Sequence, residues 1–181
     1  IGPGLTTDPE TVALVGELLP LIKCPLVIDA DALNAISTHK NWLDILNPET
    51  VLTPHPKEMS RLMGLATQKI QKNRIATASQ FAADHSLTLV LKGSPSLIAM
   101  ADGTVIINPT GNAGMATGGS GDVLTGIIAG LMAQGLPQAS IAGSYIHGQA
   151  GDYFAKNESE TTLIAGDLLR SLPETLKRIL P

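Results

Sequence analysis

Three apolar segments too short for helices, Pro25 to Asp29, Thr50 to Thr53 and Leu87 to Leu91, each run into a polar turn, and stretches with apolar residues at helical spacing lie between them. Strands this apolar are buried on both faces, as in a parallel sheet covered by helices. Two further strand-like runs, Ser96 to Met100 and Thr104 to Ile107, flank Asp102-Gly103, a strong short-range hairpin signal. Strand, turn and helix in alternation, then a hairpin and terminal helices, predict an α/β fold with a mainly parallel central sheet flanked by helices. Ligands of such sheets gather at the carboxyl ends of the strands, where the glycines, prolines and carboxylates of this chain also fall.

The helical stretches carry their own signals. Thr7 or Asp8 can cap a helix that has Pro9 at its first position and Val12, Val15 and Leu19 on one face. A helical turn is expected around Ala32 to Ile36 and a helix with Met59, Leu62 and Met63 after the paired prolines of Thr53-Pro54-His55-Pro56-Lys57-Glu58. Lys69 to His85 places Ile75, Ala78, Phe81 and Ala82 at helical spacing. Helices are expected after Gly121, after Pro137 and from Thr161 to Leu180.

With 181 residues, of which 44% are hydrophobic and 15% charged, the chain can bury a sizeable core and fits one domain, residues 1–181. Its apolar runs fall far short of the roughly 20 residues of a membrane span. A net charge of −4 without a basic run argues against a nucleic-acid surface, so any phosphate site must be local. The single cysteine, Cys24, excludes an internal disulfide; it is expected to be buried packing in a protein of a reducing, cytoplasmic compartment.

The sharpest chemical signal is Asn112 to Asp122, with Gly114, Gly118, Gly119 and Gly121 placed just before a helix. Closely spaced glycines let backbone N–H groups converge, and at a helix N-terminus they form an anion hole for a phosphate. Asp122, on the first helical turn, can take a proton from a hydroxyl attacking phosphorus, or orient that hydroxyl. The alternative is a flexible turn followed by a favourable first-turn carboxylate. The segment lacks the Gly-Lys-Ser/Thr of a Walker loop and the G-x-S-x-G of a hydrolase elbow. Gly151-Asp152 and Gly166-Asp167 have no such glycine-rich approach and are expected to be structural.

Three other turns qualify. At Thr53 to Glu58, Glu58 could hold a hydrated Mg2+ and His55 could hydrogen-bond a polar substrate, or Glu58 could be a first-turn helix carboxylate and His55 a surface residue. Lys92, at the end of an apolar strand, is a cation for a nucleotide phosphate or a solvated lysine. Asp29 and Asp31 could contact metal or hydroxyl groups or, with Asn34, cap the next helix. His39, His85 and His147 are expected in surface or packing roles.

Together, Gly2-Pro3-Gly4-Leu5, Asp29-Ala30-Asp31-Ala32-Leu33, Thr53-Pro54-His55-Pro56-Lys57-Glu58, Leu91-Lys92-Gly93 and Asn112 to Asp122 resemble the ribokinase-like superfamily, and within it the ADP- or ATP-dependent NAD(P)H-hydrate dehydratases. The resemblance covers essentially the whole chain. Related vitamin kinases carry Asn where this chain has His55, which favours the dehydratases. It implies a three-layer ribokinase-like fold and ADP- or ATP-dependent repair of hydrated NADH or NADPH, with Mg2+. Asp122 would be catalytic; Lys92, Gly93, Ser94, Pro95, Ser96, Gly118, Gly119, Ser120 and Gly121 would bind nucleotide; Gly4, His55 and Asp122 would face the hydrate. It also implies a homo-oligomer with small-molecule partners, and a domain whose first strands precede Ile1. Lys57 stands where the family has Gly. A vitamin or hydroxymethyl kinase on the same fold, and an inactive nucleotide-binding fragment, are the alternatives.

Overall fold

The structure, a computed structural model, describes residues 1–179, so the end of the expected helix at Leu180 lies outside the described residues. The chain divides into two compact units, one comprising Ile1–Gly93 with Leu97–Ile107, the other Ser94–Ser96 with Asn108 onward. Among the described residues no helix is long and apolar enough to cross a membrane.

The first unit holds a five-stranded sheet of β1 (Leu26–Ile28), β2 (Thr50–Leu52), β3 (Thr88–Leu91), β4 (Leu97–Ala99) and β5 (Val105–Ile107), in that spatial order. The expected α/β arrangement is present: β1, β2 and β3 are parallel, and β4 and β5 extend the sheet as an antiparallel hairpin. Alternation decides which side chains share a face. Ile28, Leu52, Leu89, Leu91, Leu97 and Ala99 join one core with Val15, Leu33, Ile36, Met59, Leu62, Ile70 and Phe81, from the helices of the same unit. Those helices are α1 (Pro9–Leu18), α2 (Ala30–Thr38), α3 (Pro56–Met63), α4 (Thr67–Lys72) and α5 (Arg74–Asp84). Val27, Val51, Val90 and Ile98, pointing the other way, are buried too, as the unbroken apolar runs required.

The hairpin turns at Gly103, whose φ of +83° suits glycine, and the Asp102 carboxylate accepts the Thr104 amide at 2.8 Å. That bond holds the Asp102 pKa below the ordinary carboxylate value.

Three local expectations change. Asp8 sits at the cap of α1 but its side chain makes no capping bond; it is bonded instead by the Thr6 hydroxyl at 2.9 Å. The Lys69 to His85 helix is broken at Asn73, whose φ of −132° is not helical, so Arg74 begins a new helix and Ile75 lies on its open side, 54% exposed. Cys24 is exposed, not buried, because β1 begins only at Leu26 and the intervening bend lies outside the sheet.

The second unit packs α6 (Ser120–Ala133), α7 (Ala139–Asn157) and α8 (Ala165–Ile179) around Val123, Ala150, Leu163 and Leu168. Gly143 permits the close approach of α7 to α6: a Cβ there would lie 2.7 Å from Ile128 Cγ1. Helical glycines of this unit therefore divide into two kinds, and alanine separates them. Glycine costs a helix interior about 1 kcal/mol relative to alanine. Gly130, with nothing within 4 Å of a would-be Cβ, should gain up to that amount on Gly130→Ala. At Gly148 the Cβ would meet Thr110 Oγ1 at 2.1 Å and its backbone carbon at 2.7 Å, so Gly148→Ala should lose about 1–3 kcal/mol. Urea unfolding of the two variants checks the opposite signs.

Candidate functional site

In the first unit, the parallel strands end in a connected set of charges. Asp29 follows β1, is 1% exposed and caps α2, accepting the Ala30 amide at 2.8 Å. Lys92 follows β3, and its Nζ lies 2.7 Å from Asp29 Oδ1 and 3.9 Å from Glu58 Oε2. The Lys92 side chain is only 20% exposed, so its charge is held by an internal partner rather than by water. Asp31 stands outward of this pair, accepting the Thr6 amide and the Asn34 side chain.

His55 and Glu58 form a reciprocal cap at the start of α3. Nδ1 of His55 accepts the amides of Lys57 and Glu58, each at 3.1 Å, and the His55 amide donates to Glu58 Oε2 at 2.7 Å. An imidazole nitrogen that accepts carries no proton, so the ring proton sits on Nε2, 3.4 Å from Glu58 Oε1. The His55 side chain is 45% exposed, and Nε2 carries its one N–H donor. Glu58 is thus the first-turn carboxylate of the alternative reading, with Oε1 its only oxygen not committed to backbone. Lys57, in the family's glycine position, is exposed within a helical turn that any residue can adopt.

Arg74, which the sequence did not single out, braces the strand end beyond Lys92. Nη2 donates to the carbonyls of Leu91 and Lys92, and burial lowers the guanidinium pKa. Gly93 has φ +150° and lies against that guanidinium, where a Cβ would fall 2.4 Å from Nη1. At the start of the unit, Gly2 has φ +131° and a Cβ there would sit 1.8 Å from the Asp29 carbonyl; Gly4 is open and exposed.

In the second unit the glycine-rich segment leads into α6 as expected. Gly119, with φ +83°, is the cap residue, and Ser120, Gly121 and Asp122 form the first turn. The Ser120 amide donates to Thr117 and the Val123 amide to Gly119, at 3.3 and 3.1 Å. Among the described residues the amides of Gly121 and Asp122 have no protein acceptor. Two open amides at the positive end of a 14-residue helix are the kind of donor pair that can receive an anion. A Cβ at Gly118 would meet nothing within 4 Å, so the space beside that residue is open. Asp122 is exposed on that turn.

The other two Gly-Asp pairs are structural. Asp152 accepts the Gly111 amide at 2.8 Å and Asn112 Nδ2 at 3.0 Å. Asp167 accepts the Ile164 amide at 3.0 Å, and that bond together with Arg170 lowers its pKa. Ser94, Pro95 and Ser96 belong to the second unit, where the Ser96 carbonyl accepts the Asn108 amide at 2.9 Å. His39 stacks on Trp42 and His85 tilts against Phe81, the packing roles expected. His147 is buried, and its ring bonds to Ser120 at the start of α6, a placement the sequence did not suggest.

A mainly parallel α/β sheet in one unit and a glycine-led helix start in the other are features of the ribokinase-like class of α/β proteins. Residues 1–174 match the model of the NAD(P)H-hydrate dehydratase family, and the chain belongs to that family. It is 52% identical, over 99% of its length, to a bifunctional NAD(P)H-hydrate repair enzyme of Moorella thermoacetica, of which it covers 34%. It is 40% identical to the ADP-dependent (S)-NAD(P)H-hydrate dehydratase of Neisseria meningitidis, covering 59% of that protein. The structure superimposes with a TM-score of 0.85 on the ADP/ATP-dependent NAD(P)H-hydrate dehydratase of Bacillus subtilis co-crystallised with ATP/Mg2+, 35% identical, covering 98% of this chain and 63% of the other. The chain therefore spans about a third of the bifunctional relatives and under two thirds of the shorter ones.

Proposed function

We propose that the whole protein uses ADP or ATP to dehydrate the S-hydrates of NADH and NADPH back to the reduced cofactors. The observation that carries this reading is the pair of open amides at Gly121 and Asp122, with the Asp122 carboxylate on the same turn. In phosphoryl transfer the protein has little covalent chemistry to do, and positioning with charge stabilisation supplies most of the rate. The hydrate hydroxyl forms a bond to the terminal phosphorus of the nucleotide as the bridging P–O bond breaks. Asp122 takes the hydroxyl proton, and the Gly118 to Gly121 turn holds the phosphoryl oxygens. Elimination of the resulting phosphate, with a ring proton, restores the reduced nicotinamide.

Lys92 to Ser96 would line the nucleotide. Because the Lys92 ammonium is paired with Asp29, its part there falls to backbone and loop shape. His55 Nε2–H is the donor we assign to the hydrate, and Gly4, where a Cβ would meet nothing within 4 Å, is assigned to the same ligand. Among the described residues no group of three or more His, Cys, Asp or Glu side chains could hold a metal. Mg2+ fits as an ion carried on the nucleotide phosphates with its own waters, where it would offset their charge, and Glu58 Oε1 is the carboxylate oxygen we assign to such a water. The family match runs across both units, which supports treating them as one functional domain. The reading extends to a cytoplasmic homo-oligomer, whose size light scattering would measure.

The test is recovery of reduced-nicotinamide absorbance from the S-hydrate on adding ADP or ATP to the complete protein. Nucleotide-dependent recovery is expected. No recovery, or a stable phosphorylated product from a hydroxymethyl substrate instead, would remove the dehydratase reading.

A further inference from the structure

The glycine-rich segment is gripped along one face of α7. The carbonyls of Ser144 and Tyr145 accept Asn108 Nδ2 and Thr110 Oγ1, both at 3.1 Å. Gly148 and Gly151 let the segment approach, since Cβ atoms there would lie 2.1 Å from Thr110 Oγ1 and 2.4 Å from Met115 Sδ. Asp152 holds Gly111 and Asn112. These contacts fix the middle of the segment, and His147 acts at its end.

The His147 ring is 9% exposed, with Nε2 3.0 Å from the Ser120 carbonyl oxygen and 3.4 Å from Ser120 Oγ. A carbonyl only accepts, so Nε2 carries the proton and donates it. The Ser120–Gly121 peptide is trans and planar, and in such a unit the N–H points opposite to the C=O. Holding the Ser120 carbonyl therefore fixes the direction of the Gly121 N–H, one of the two open amides. Gly121 has no side chain to restrict that peptide, so the restraint must come from outside it.

We propose that His147 is a positioning residue which, through the Ser120–Gly121 peptide, aims the Gly121 amide at the phosphoryl group. This inference rests on the phosphoryl-transfer reading above. Polarisation along the chain of bonds adds only about 10–30% per bond, so the effect is one of direction more than of strength.

The test compares His147→Gln with His147→Asn in the complete protein. Glutamine can place an amide donor near the position of Nε2, whereas asparagine stops about one bond short. His147→Asn should weaken ADP binding, read by calorimetry, and lower kcat, each about tenfold. KM for the hydrate should not move, which a general loss of structure would not achieve. His147→Gln should return both values to within about threefold of the parent protein. In spectra of protein labelled with 15N-glycine, ADP should shift the Gly121 amide in the parent and the glutamine variant but not in the asparagine variant. Equal behaviour of the two variants, or parental ADP affinity in both, overturns the proposal. If the parent protein leaves the hydrate untouched, the functional reading falls while the ADP affinities still decide the role of His147. Absence of ADP binding by the parent overturns both.

Discussion

Replacing Asp122 by Asn should lower kcat for nucleotide-dependent dehydration by about 10²–10⁴-fold while nucleotide binding stays close to that of the parent protein. The substitution preserves size and hydrogen-bonding reach but removes the group able to take the hydroxyl proton. Asp122 is exposed on the first turn of α6, so no buried partner is orphaned and the fold should be little affected. If the carboxylate only complemented the helix dipole, the change would cost about 0.3–1 kcal/mol of stability and leave kcat intact. Steady-state kinetics beside calorimetric nucleotide titration separate these outcomes, and a variant with full activity would take Asp122 out of the mechanism.

The largest effect on stability is expected from Lys92→Met. Asp29 is 1% exposed and lies 2.7 Å from the Lys92 ammonium, so removing the cation leaves a carboxylate in a site with almost no solvent. Breaking such a pair from one side costs about 3–5 kcal/mol, far more than an exposed pair, whose loss costs at most about 1 kcal/mol. The double change Asp29→Asn with Lys92→Met should restore much of the loss, because the buried negative charge is then removed as well. Urea unfolding of parent, single and double variants measures this. A single variant within about 0.5 kcal/mol of the parent would show that the pair is not held as described.

The strands and the anion turn were legible because both are written locally. Leu87 to Leu91 is apolar on every residue but one, and a strand buried on both faces needs nothing else to announce it. The glycines before Asp122 likewise mark a backbone turn and a helix start within a single stretch. The chemistry of Lys92 was less legible, because its partner Asp29 is 63 residues away and only the parallel pairing of β1, β2 and β3 brings the two strand ends near each other. Sequence offered Lys92 as a free or phosphate-bound cation, and the structure gives its charge to Asp29.

The same distance hid His147, which is 27 residues from Ser120. A signal was available in His147-Gly148-x-x-Gly151-Asp152, whose members fall on one face of a helix at spacings of one, four and five. Glycines on a buried helix face mark where another segment comes close, and here that segment is Thr110 to Met115, which leads into the glycine turn. Cys24 misled because a residue just before an apolar strand was expected to share its burial. The Asn73 break was missed because asparagine is only a weak helix breaker, and the apolar spacing continued across it.

The most direct test of the central claim follows the oxygen atom of the substrate. With the 6-hydroxyl of the S-hydrate labelled with 18O, phosphorylation and elimination must carry that oxygen into inorganic phosphate as reduced cofactor appears. Mass spectrometry of the products of the complete protein should find one 18O in each phosphate released. Label appearing in water, with phosphate unlabelled, would show that the hydroxyl leaves without phosphoryl transfer and would contradict the account.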